Sequence, residues 1–200
     1  MTAAAPSPRI AALTPPFAPE LDAMLKKWMP PGSAVPPLAL FRTLAVHPEL
    51  SSRMRPLGAA LLGHGLLTPR ERELIIQRTC ARAGAEYEWG VHAVAFGAAV
   101  GLGDAQQAAT VRGAADAPTW TPREQLLLAL ADELHASATV SAALWTRLAA
   151  EWTPPQLLEL LVLAGWYRLL SYVINAVGIE LEPWAARFPA DGTSAGPGDS

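Results

Sequence analysis

Two carboxylates and one imidazole are the residues of this chain most able to do chemistry together. Glu88 and His92 lie four residues apart in the run Glu-Tyr-Glu-Trp-Gly-Val-His, and Glu73 precedes the histidine by nineteen residues. On a helix, residues four apart project from the same face. The neighbouring aromatic side chains would give that face apolar walls, where the pKa values of acids and imidazoles shift. The pattern therefore indicates a proton-transfer site.

The same three side chains admit a second interpretation, as ligands of a catalytic divalent metal. Three protein ligands and one open position would suit such an ion. Neither a cysteine pair nor a second suitably spaced histidine accompanies them, so the metal signal is weak. The spacing favours metal-free acid–base chemistry.

A helix start signal that occurs three times predicts the elements that position these groups. Each copy has threonine, then proline, then glutamate or glutamine at the third helical position, beginning at Thr68, Thr121 and Thr153. Helices are therefore expected near residues 69–84, 122–136 and 154–177. Helical periodicity predicts six more, over residues 19–29, 37–46, 49–62, 87–100, 103–111 and 141–151. Because no alternating strand pattern is convincing, the predicted fold class is all-α.

Composition bounds the class of protein. The 200 residues are 51% hydrophobic and 16% charged, which suits one domain with a sizeable core. A net charge of −3 without a basic cluster argues against a nucleic-acid binder. No signal-peptide pattern and no uninterrupted apolar run of membrane-spanning length is found, so a cytoplasmic protein without membrane contact is predicted. Residues 1–18 and 189–200 are expected to be flexible, leaving one domain over residues 19–188.

The segment from Thr68 to Leu102 resembles the carboxymuconolactone decarboxylase family and its alkylhydroperoxidase-D-like relatives. The likeness rests on Glu73 and His92 within the runs Arg-Glu-Leu-Ile-Ile-Gln-Arg and Glu-Tyr-Glu-Trp-Gly-Val-His. The later runs Ala-Asp-Glu-Leu-His and Asn-Ala-Val-Gly-Ile-Glu-Leu are similar to the C-terminal half of the same family. The resemblance implies a compact multi-helix bundle, a small-molecule substrate and assembly as a homo-oligomer.

Departures from the family pattern point to one of its branches. The peroxidase branch has cysteines seven and four residues before the histidine, where this chain has Ala85 and Glu88. That route needs a thiolate and a resolving thiol, and Cys80, the only cysteine, stands in neither position. The chain therefore resembles the decarboxylase branch, which is described as cofactor-free. Glu73 and His92 match the glutamate and histidine of the family, and Glu88 belongs to its Tyr-Glu-Trp variant.

Five further residues are candidates for contact with a substrate. They are Tyr87, Trp89, Trp166, Tyr167 and His47. Large aromatic side chains are also common core residues, so packing roles for the first four stay open. His47 stands at a helix end, where a cationic side chain is favoured and capping is the simpler interpretation. Of the other histidines, His64 is expected in a loop and His135 is expected to be structural.

Three functions from different classes follow. The first is an acid–base enzyme of decarboxylase, lyase or isomerase type, acting on a small carboxylated or lactone-like substrate through Glu73, Glu88 and His92. The second is a non-catalytic small-molecule binder or scaffold that keeps the pocket. The third is hydroperoxidase activity through Cys80, which the missing thiol pair disfavours.

Overall fold

The computed structural model describes residues 7–30 and 32–190, and within these ranges all regular structure is helical, with no β-strand. Nine α-helices occur in the described part: α1 Pro19–Lys26, α2 Ala39–Leu44, α3 Pro48–Gly63, α4 Pro69–Arg82, α5 Glu86–His92, α6 Asp104–Arg112, α7 Pro122–Ser137, α8 Ala142–Glu151 and α9 Pro154–Val177. The all-α prediction is confirmed, and the nine predicted helices correspond to these nine. The predicted helix over 87–100 differs, because α5 passes into a π-helical turn, Ala93–Gly97, and a 3₁₀ turn, Ala98–Val100.

Threonine caps begin α4, α7 and α9, as the sequence predicts. The hydroxyl oxygens of Thr68 and Thr121 accept hydrogen bonds from the backbone amides of Glu71 and Glu124, each at 3.3 Å. At Thr153 the backbone amide donates to the glutamine side chain three residues later, at 3.0 Å. These bonds satisfy amides that the first turn of a helix otherwise leaves unpaired.

The Thr-Pro-Arg-Glu starts of α4 and α7 also bind each other. Arg70 Nε of α4 donates to Glu124 Oε1 of α7 at 2.6 Å, and Arg123 Nε of α7 donates to Glu71 Oε1 of α4 at 2.9 Å. The arginine of each start therefore pairs with the capping glutamate of the other. This crossed pair of ion pairs holds the two helix N-termini side by side.

The central helix of the bundle is α4, which packs against α5, α6, α7 and α9. Every side chain from Glu73 to Cys80 is buried. Arg78 is fully buried and donates two hydrogen bonds of 2.7 Å to Asp132 of α7. Its Nη1 also donates to the carbonyl oxygen of Thr110 on α6 at 3.0 Å. Because this buried charge is paired and bonded, it fixes α4, α6 and α7 relative to each other.

Helix α9 forms the other long wall of the core. Among the described helices, α9 alone is long and apolar enough to cross a membrane by length and composition, with a mean hydropathy of 1.6. Glu159 and Arg168 interrupt its apolar sequence, in line with the expectation of no uninterrupted run. Half of its most apolar window is buried inside the protein, where it contacts α3, α4, α5 and α8. This arrangement is that of a core helix.

The segments outside the helices are partly attached to the bundle. Arg9 N donates to Val177 O at 2.7 Å, and Arg42 Nη1 donates to Leu13 O at 2.9 Å. After α9, Phe188 N donates to a carboxylate at the start of α5 at 2.8 Å. Part of the segment 1–18 that the sequence predicts to be flexible is thus bonded to α2 and α9. Residues 1–6 and 191–200, which include most of the predicted tail, lie outside the described residues, and the domain limits stay a prediction.

Candidate active site

The turn between α4 and α5 brings the three candidate catalytic groups together. Glu73 lies on α4, and Glu88 and His92 lie on α5. Gly84, between the two helices, has a φ of +65°, a left-handed conformation that glycine adopts without steric cost. The chain reverses there and α5 packs against α4, so Glu73 meets His92 across nineteen residues of sequence.

His92 lies between the two carboxylates. Its Nδ1 is 2.8 Å from Glu73 Oε2, a buried hydrogen bond, and its Nε2 is 3.7 Å from Glu88 Oε1. Nε2 and Glu88 Oε1 are too far apart for a hydrogen bond, so their interaction is electrostatic only. Glu73 is fully buried, and Glu88 and His92 are 6% and 4% exposed. The hydrogen bond to Glu73 occupies Nδ1 and leaves Nε2 facing Glu88.

Burial and mutual charge shift the pKa values within this cluster. Burial is the largest influence on Glu88 and raises the pKa of its carboxyl; the charge of Glu73 adds to the rise and His92 opposes it. Burial lowers the pKa of His92, but the charge and hydrogen bond of Glu73, together with the charge of Glu88, outweigh it, so the net pKa is raised. Both groups therefore keep their protons at pH values where free side chains begin to lose them.

Aromatic rings stand next to the imidazole. Tyr167 of α9 meets His92 edge-on with ring centroids 5.0 Å apart, and Phe96 of the π-helical turn is tilted against it at the same separation. Burial, followed by the charges of Glu88 and Glu73, raises the pKa of the Tyr167 phenol. The structure thus places Tyr167 beside His92, and its contact with a substrate stays a prediction. Phe96 could not be predicted from the sequence, because its contact with His92 depends on the π-helical turn.

Tyr87 and Trp89 use their polar atoms to hold α5 in the bundle. Tyr87 Oη donates to Glu182 Oε1 at 2.7 Å and accepts from Leu40 N at 3.1 Å. Trp89 Nε1 donates to Thr110 Oγ1 at 2.9 Å. These bonds join α5 to α2, to α6 and to the segment after α9. Both side chains therefore have positioning roles, and their contact with a substrate stays a prediction.

Of the other two predicted contact residues, Trp166 packs on α3 and His47 caps its start. Trp166 lies against Gly58, where an added Cβ atom would stand 3.0 Å from the indole ring. His47 is exposed, and its Nδ1 accepts a hydrogen bond from Leu50 N at 3.3 Å. The histidine thus caps the start of α3 as an acceptor, whereas the sequence suggests a cation at the end of the preceding helix. Substrate contact by either residue stays a prediction.

Several buried polar atoms around the cluster have no hydrogen-bond partner among residues 7–30 and 32–190. They are Glu73 Oε1, Glu88 Oε2, Arg72 Nε and both amide atoms of Gln77. Arg72 Nε is 3.8 Å from Glu73 Oε1, an ion pair too long for a hydrogen bond. Gln77 follows Glu73 by four residues, so the two side chains share a face of α4. That spacing is the signal that would find Gln77 in the sequence.

The geometry does not favour thiol or metal chemistry. Cys80 is fully buried on α4, and burial, followed by the charge of Glu88, raises the pKa of its thiol well above the ordinary value. A reactive cysteine needs a lowered pKa. The described residues contain no group of three or more His, Cys, Asp or Glu side chains that could hold a metal ion. Glu73, Glu88 and His92 therefore do not form the ligand set that their sequence spacing allowed.

A family comparison covers this site. Residues 48–133 match the sequence model of the carboxymuconolactone decarboxylase family. This part of the chain is therefore similar to that family. The match includes α4, α5 and all three groups of the cluster, and it confirms the resemblance drawn from Glu73 and His92. No curated protein sequence matches the chain.

Solved structures of the same fold extend beyond the family segment. The debrominase Bmp8, solved without ligand and in complex with 2,3,4-tribromopyrrole, has TM-scores of 0.72 and 0.71 at 15% identity, over 88% of this chain and 92% of that one. An uncharacterized peroxidase-related protein from Silicibacter sp. TM1040 gives 0.71 at 20% identity, over 92% of this chain and 98% of that one. A protein of unknown function from Agrobacterium tumefaciens, proposed to be the antioxidant defence protein AhpD, gives 0.64 at 17% identity, over 70% and 94%. The alkylhydroperoxidase-D-like bundle is thereby confirmed.

Proposed function

We propose that this chain, whose residues 48–133 match the carboxymuconolactone decarboxylase family, is a cofactor-free acid–base enzyme of decarboxylase, lyase or isomerase type. Its substrate would be a small carboxylated or lactone-like molecule. The observation that carries the proposal is the buried arrangement of His92 between Glu73 and Glu88, with one ring nitrogen hydrogen-bonded at 2.8 Å and the other directed toward the second acid. Two acids and an imidazole held in this order can deliver and accept a proton on one face.

The existing hydrogen bond of His92 determines which role each of the three side chains can have in catalysis. Glu73 accepts a hydrogen bond from Nδ1–H and so orients the ring, which leaves Nε2 as the nitrogen that exchanges a proton with a substrate. The raised pKa lets Glu88 keep its proton to higher pH than a free glutamate, which suits it to act as a second proton donor beside Nε2. Glu73 is therefore a positioning residue, and His92 and Glu88 are the proton-transfer groups.

The chemistry that suits these groups passes through an enolate. In a decarboxylation, the electron pair of the breaking carbon–carbon bond moves onto an adjacent carbonyl while carbon dioxide leaves, and a proton from His92 or Glu88 then reaches the carbon. In an isomerisation, the base removes a proton alpha to a carbonyl and the acid returns one at another carbon. In both, a donor must stabilise the enolate oxygen. Gln77, with an unpaired amide one helical turn from Glu73, has the donor for that task.

A non-catalytic binding role is the second candidate, and it uses the same site. Buried polar atoms are normally hydrogen-bonded, so the unpaired oxygens of Glu73 and Glu88 favour a polar guest whether or not it reacts. The complex of Bmp8 with 2,3,4-tribromopyrrole supports small-molecule binding by this fold. Hydroperoxidase activity through Cys80 is disfavoured, because the thiol is fully buried with a raised pKa and the sequence has no second cysteine.

Proton exchange in deuterium oxide tests the proposal. A panel of small lactones and β-keto acids is incubated with the protein, and NMR follows both carbon dioxide loss and deuterium uptake alpha to the carbonyl. We expect His92→Ala and Glu88→Gln to reduce turnover by about a hundredfold or more, since a positioned acid or base contributes on that order. His64→Ala and Glu180→Gln, both at exposed positions, should keep full activity.

Two outcomes would contradict catalysis. Full turnover in His92→Ala would show that the imidazole does not move the proton. If no substrate turns over but ligands raise the melting temperature of the wild type and not of Glu88→Gln, the chain is a binder at this site.

A further inference from the structure

A cavity opens between α4, α7 and α9, away from the candidate active site. Its volume is about 210 Å³, and it shares no residue with the cluster of Glu73, Glu88 and His92. Its apolar wall includes Leu134, Leu161, Ala164 and Gly165. Three polar side chains complete it: Thr79, His135 and Arg168. Most of the wall is therefore hydrocarbon, with hydrogen-bonding groups on one part of it.

The three polar side chains can all donate hydrogen bonds. Arg168 Nη1 is 2.7 Å from His135 Nδ1. A guanidinium can only donate, so Nδ1 is the acceptor and the ring proton of a neutral His135 is on Nε2. Burial, then the charges of Arg168 and Arg82, lower the pKa of His135, in agreement with a neutral ring. His135, expected to be structural, thus holds Arg168 in place and keeps one donor free.

The hydroxyl of Thr79 is the unexplained group in this cavity. Thr79 is 7% exposed, and its Oγ1 has no hydrogen-bond partner among the described residues. A helical threonine commonly bonds a carbonyl of the preceding turn, and this one does not. Leaving a buried hydroxyl unpaired costs free energy, so an acceptor bound in the cavity would relieve that cost.

The charge of the cavity is positive. Arg168 makes no ion pair with a carboxylate within residues 7–30 and 32–190; its Nε donates to Tyr172 Oη at 3.1 Å. Asp132 is the carboxylate whose charge acts on His135, and Arg78 and Arg82 both bind it. Arg78 and Arg82 thus share the Asp132 carboxylate, and Arg168 has no ion pair in the described part of the chain.

We propose that this cavity binds a small organic monocarboxylate, with the carboxylate on Arg168 and Thr79 and an apolar ring or short chain against the leucine wall. One guanidinium matches one carboxylate charge, and a hydroxyl and an imidazole N–H add donors for its oxygens. The hydrocarbon wall favours an organic carboxylate over inorganic phosphate, because phosphate has no apolar part to contact that wall. The site is independent of the proposed proton-transfer chemistry.

Titration with benzoate tests the site. Binding is followed by calorimetry and by the NMR shifts of the Thr79 and Leu161 methyl groups, with benzyl alcohol and inorganic phosphate as comparison ligands. We expect benzoate to bind at least about tenfold more tightly than either, because only benzoate offers both charge and ring. Arg168→Met should weaken benzoate binding about tenfold or more, and Thr79→Val, which preserves side-chain shape, should weaken it several-fold. Arg147→Met, at an exposed position on α8, should have no effect.

Three results would overturn the proposal. The first is no benzoate binding at millimolar concentration, and the second is equal binding by wild type, Arg168→Met and Thr79→Val. The third is phosphate binding as tight as benzoate, which would make this a general anion site. Thermal unfolding of each variant checks that it is folded. If Arg168→Met does not fold, the benzoate affinity of Thr79→Val still tests the proposal.

Discussion

Gln77 presents the clearest conflict between stability and function at the scale of single residues. Its side chain is fully buried, and neither amide atom has a hydrogen-bond partner in the described part of the chain. An apolar side chain of similar size would avoid the cost of desolvating an amide. A binding or catalytic role toward a polar substrate would account for the amide on the face of α4 that carries Glu73.

Gln77→Leu should separate these two properties. We expect the free energy of unfolding to rise by about 1–3 kcal/mol, because the unpaired amide is removed, while turnover falls about tenfold or more through loss of a donor to the enolate. Urea unfolding and the deuterium exchange assay measure the two effects. Gln125→Leu is the matched control, and it should lower the free energy of unfolding. The Gln125 amide donates to three backbone carbonyls, the shortest bond being 3.2 Å, and the substitution removes these bonds. Lower stability with full activity in Gln77→Leu would refute the role.

The raised pKa of Glu88 makes stability depend on pH. Above pH 4.5, the ordinary value, the carboxyl is ionised in the unfolded chain but still protonated in the folded one. The folded state then binds more protons, so the stability of the wild type falls as pH rises from 4.5 to the raised pKa. Glu88→Gln removes this loss, so its unfolding free energy should exceed that of the wild type by an amount that grows from pH 4.5 up to the raised pKa and then levels off.

Urea unfolding of Glu88→Gln at pH values from 4 to 8 would measure the difference, with each point referred to the wild type. Glu180→Gln, an exposed control, should follow the wild-type profile throughout. Parallel profiles for wild type and Glu88→Gln would mean that Glu88 titrates normally in the folded protein.

Spacing along one helix explains which site residues could be predicted. Glu88 and His92 share a face of α5 by their spacing, and Glu73 was named beside them as the second carboxylate, which the family resemblance then supported. Phe96 could not be assigned in the same way, since its place depends on how α5 and the π-helical turn pack together. A sequence shows which face of a helix a residue occupies, but not which helix meets that face.

At the scale of elements, the helix starts were the strongest sequence signal, and they do more than begin helices. The capping glutamates of α4 and α7 are each held by the arginine of the other start, Arg123 and Arg70. Trp152 Nε1 also donates to Glu71 Oε1, at 3.0 Å. The sequence shows each capping motif separately, whereas the pairing between them exists only once the helices lie side by side.

A double-mutant cycle on Arg70→Met and Glu124→Gln measures one of the crossed pairs. We expect a coupling of about 1 kcal/mol in the free energy of unfolding, because the pair is partly buried and hydrogen-bonded, with side chains 31% and 12% exposed. The i,i+4 pair of Arg53 and Glu49 is the control, since its side chains are 78% and 66% exposed and its coupling should stay within about 0.5 kcal/mol. Equal coupling in both cycles would show that the crossed pair adds nothing beyond a surface contact.

The π-helical turn after α5 is the element that sequence periodicity misplaced. The residues from 87 to 100 have helical periodicity, and the structure keeps them helical while changing the hydrogen-bond register at Ala93. Gln107 of α6 donates to the carbonyl oxygens of Ala93 and Leu102, at 3.3 and 3.1 Å. At Gly97 an added Cβ atom would overlap the Gln107 amide, so a larger residue there would displace the Gln107 side chain. Such a turn depends on the contact with α6, which periodicity does not encode.

At the scale of the whole molecule, α9 serves the active site with one face and leaves the other apolar and exposed. Its buried face places Tyr167 beside His92. Its outer face carries Leu158, Val162, Gly165, Leu169 and Tyr172, all exposed and spaced by four, three, four and three residues. That spacing is the heptad pattern by which two helices pack along a common seam. The homo-oligomer that the family resemblance implies would have a suitable surface here.

We expect two copies of the chain to associate through this exposed face of α9. Covering it on a second copy removes apolar surface from water, including Leu158 at 65% and Tyr172 at 59% exposure. Val162→Glu would place charges in the seam and should shift the molar mass, measured by sedimentation velocity, from dimer toward monomer. Leu57→Glu on α3 is the control, because Leu57 is exposed to a similar degree, 44% against 45%, and lies on another helix. A wild-type chain that stays monomeric at tens of micromolar, or a Val162→Glu variant that assembles as the wild type does, would exclude this interface.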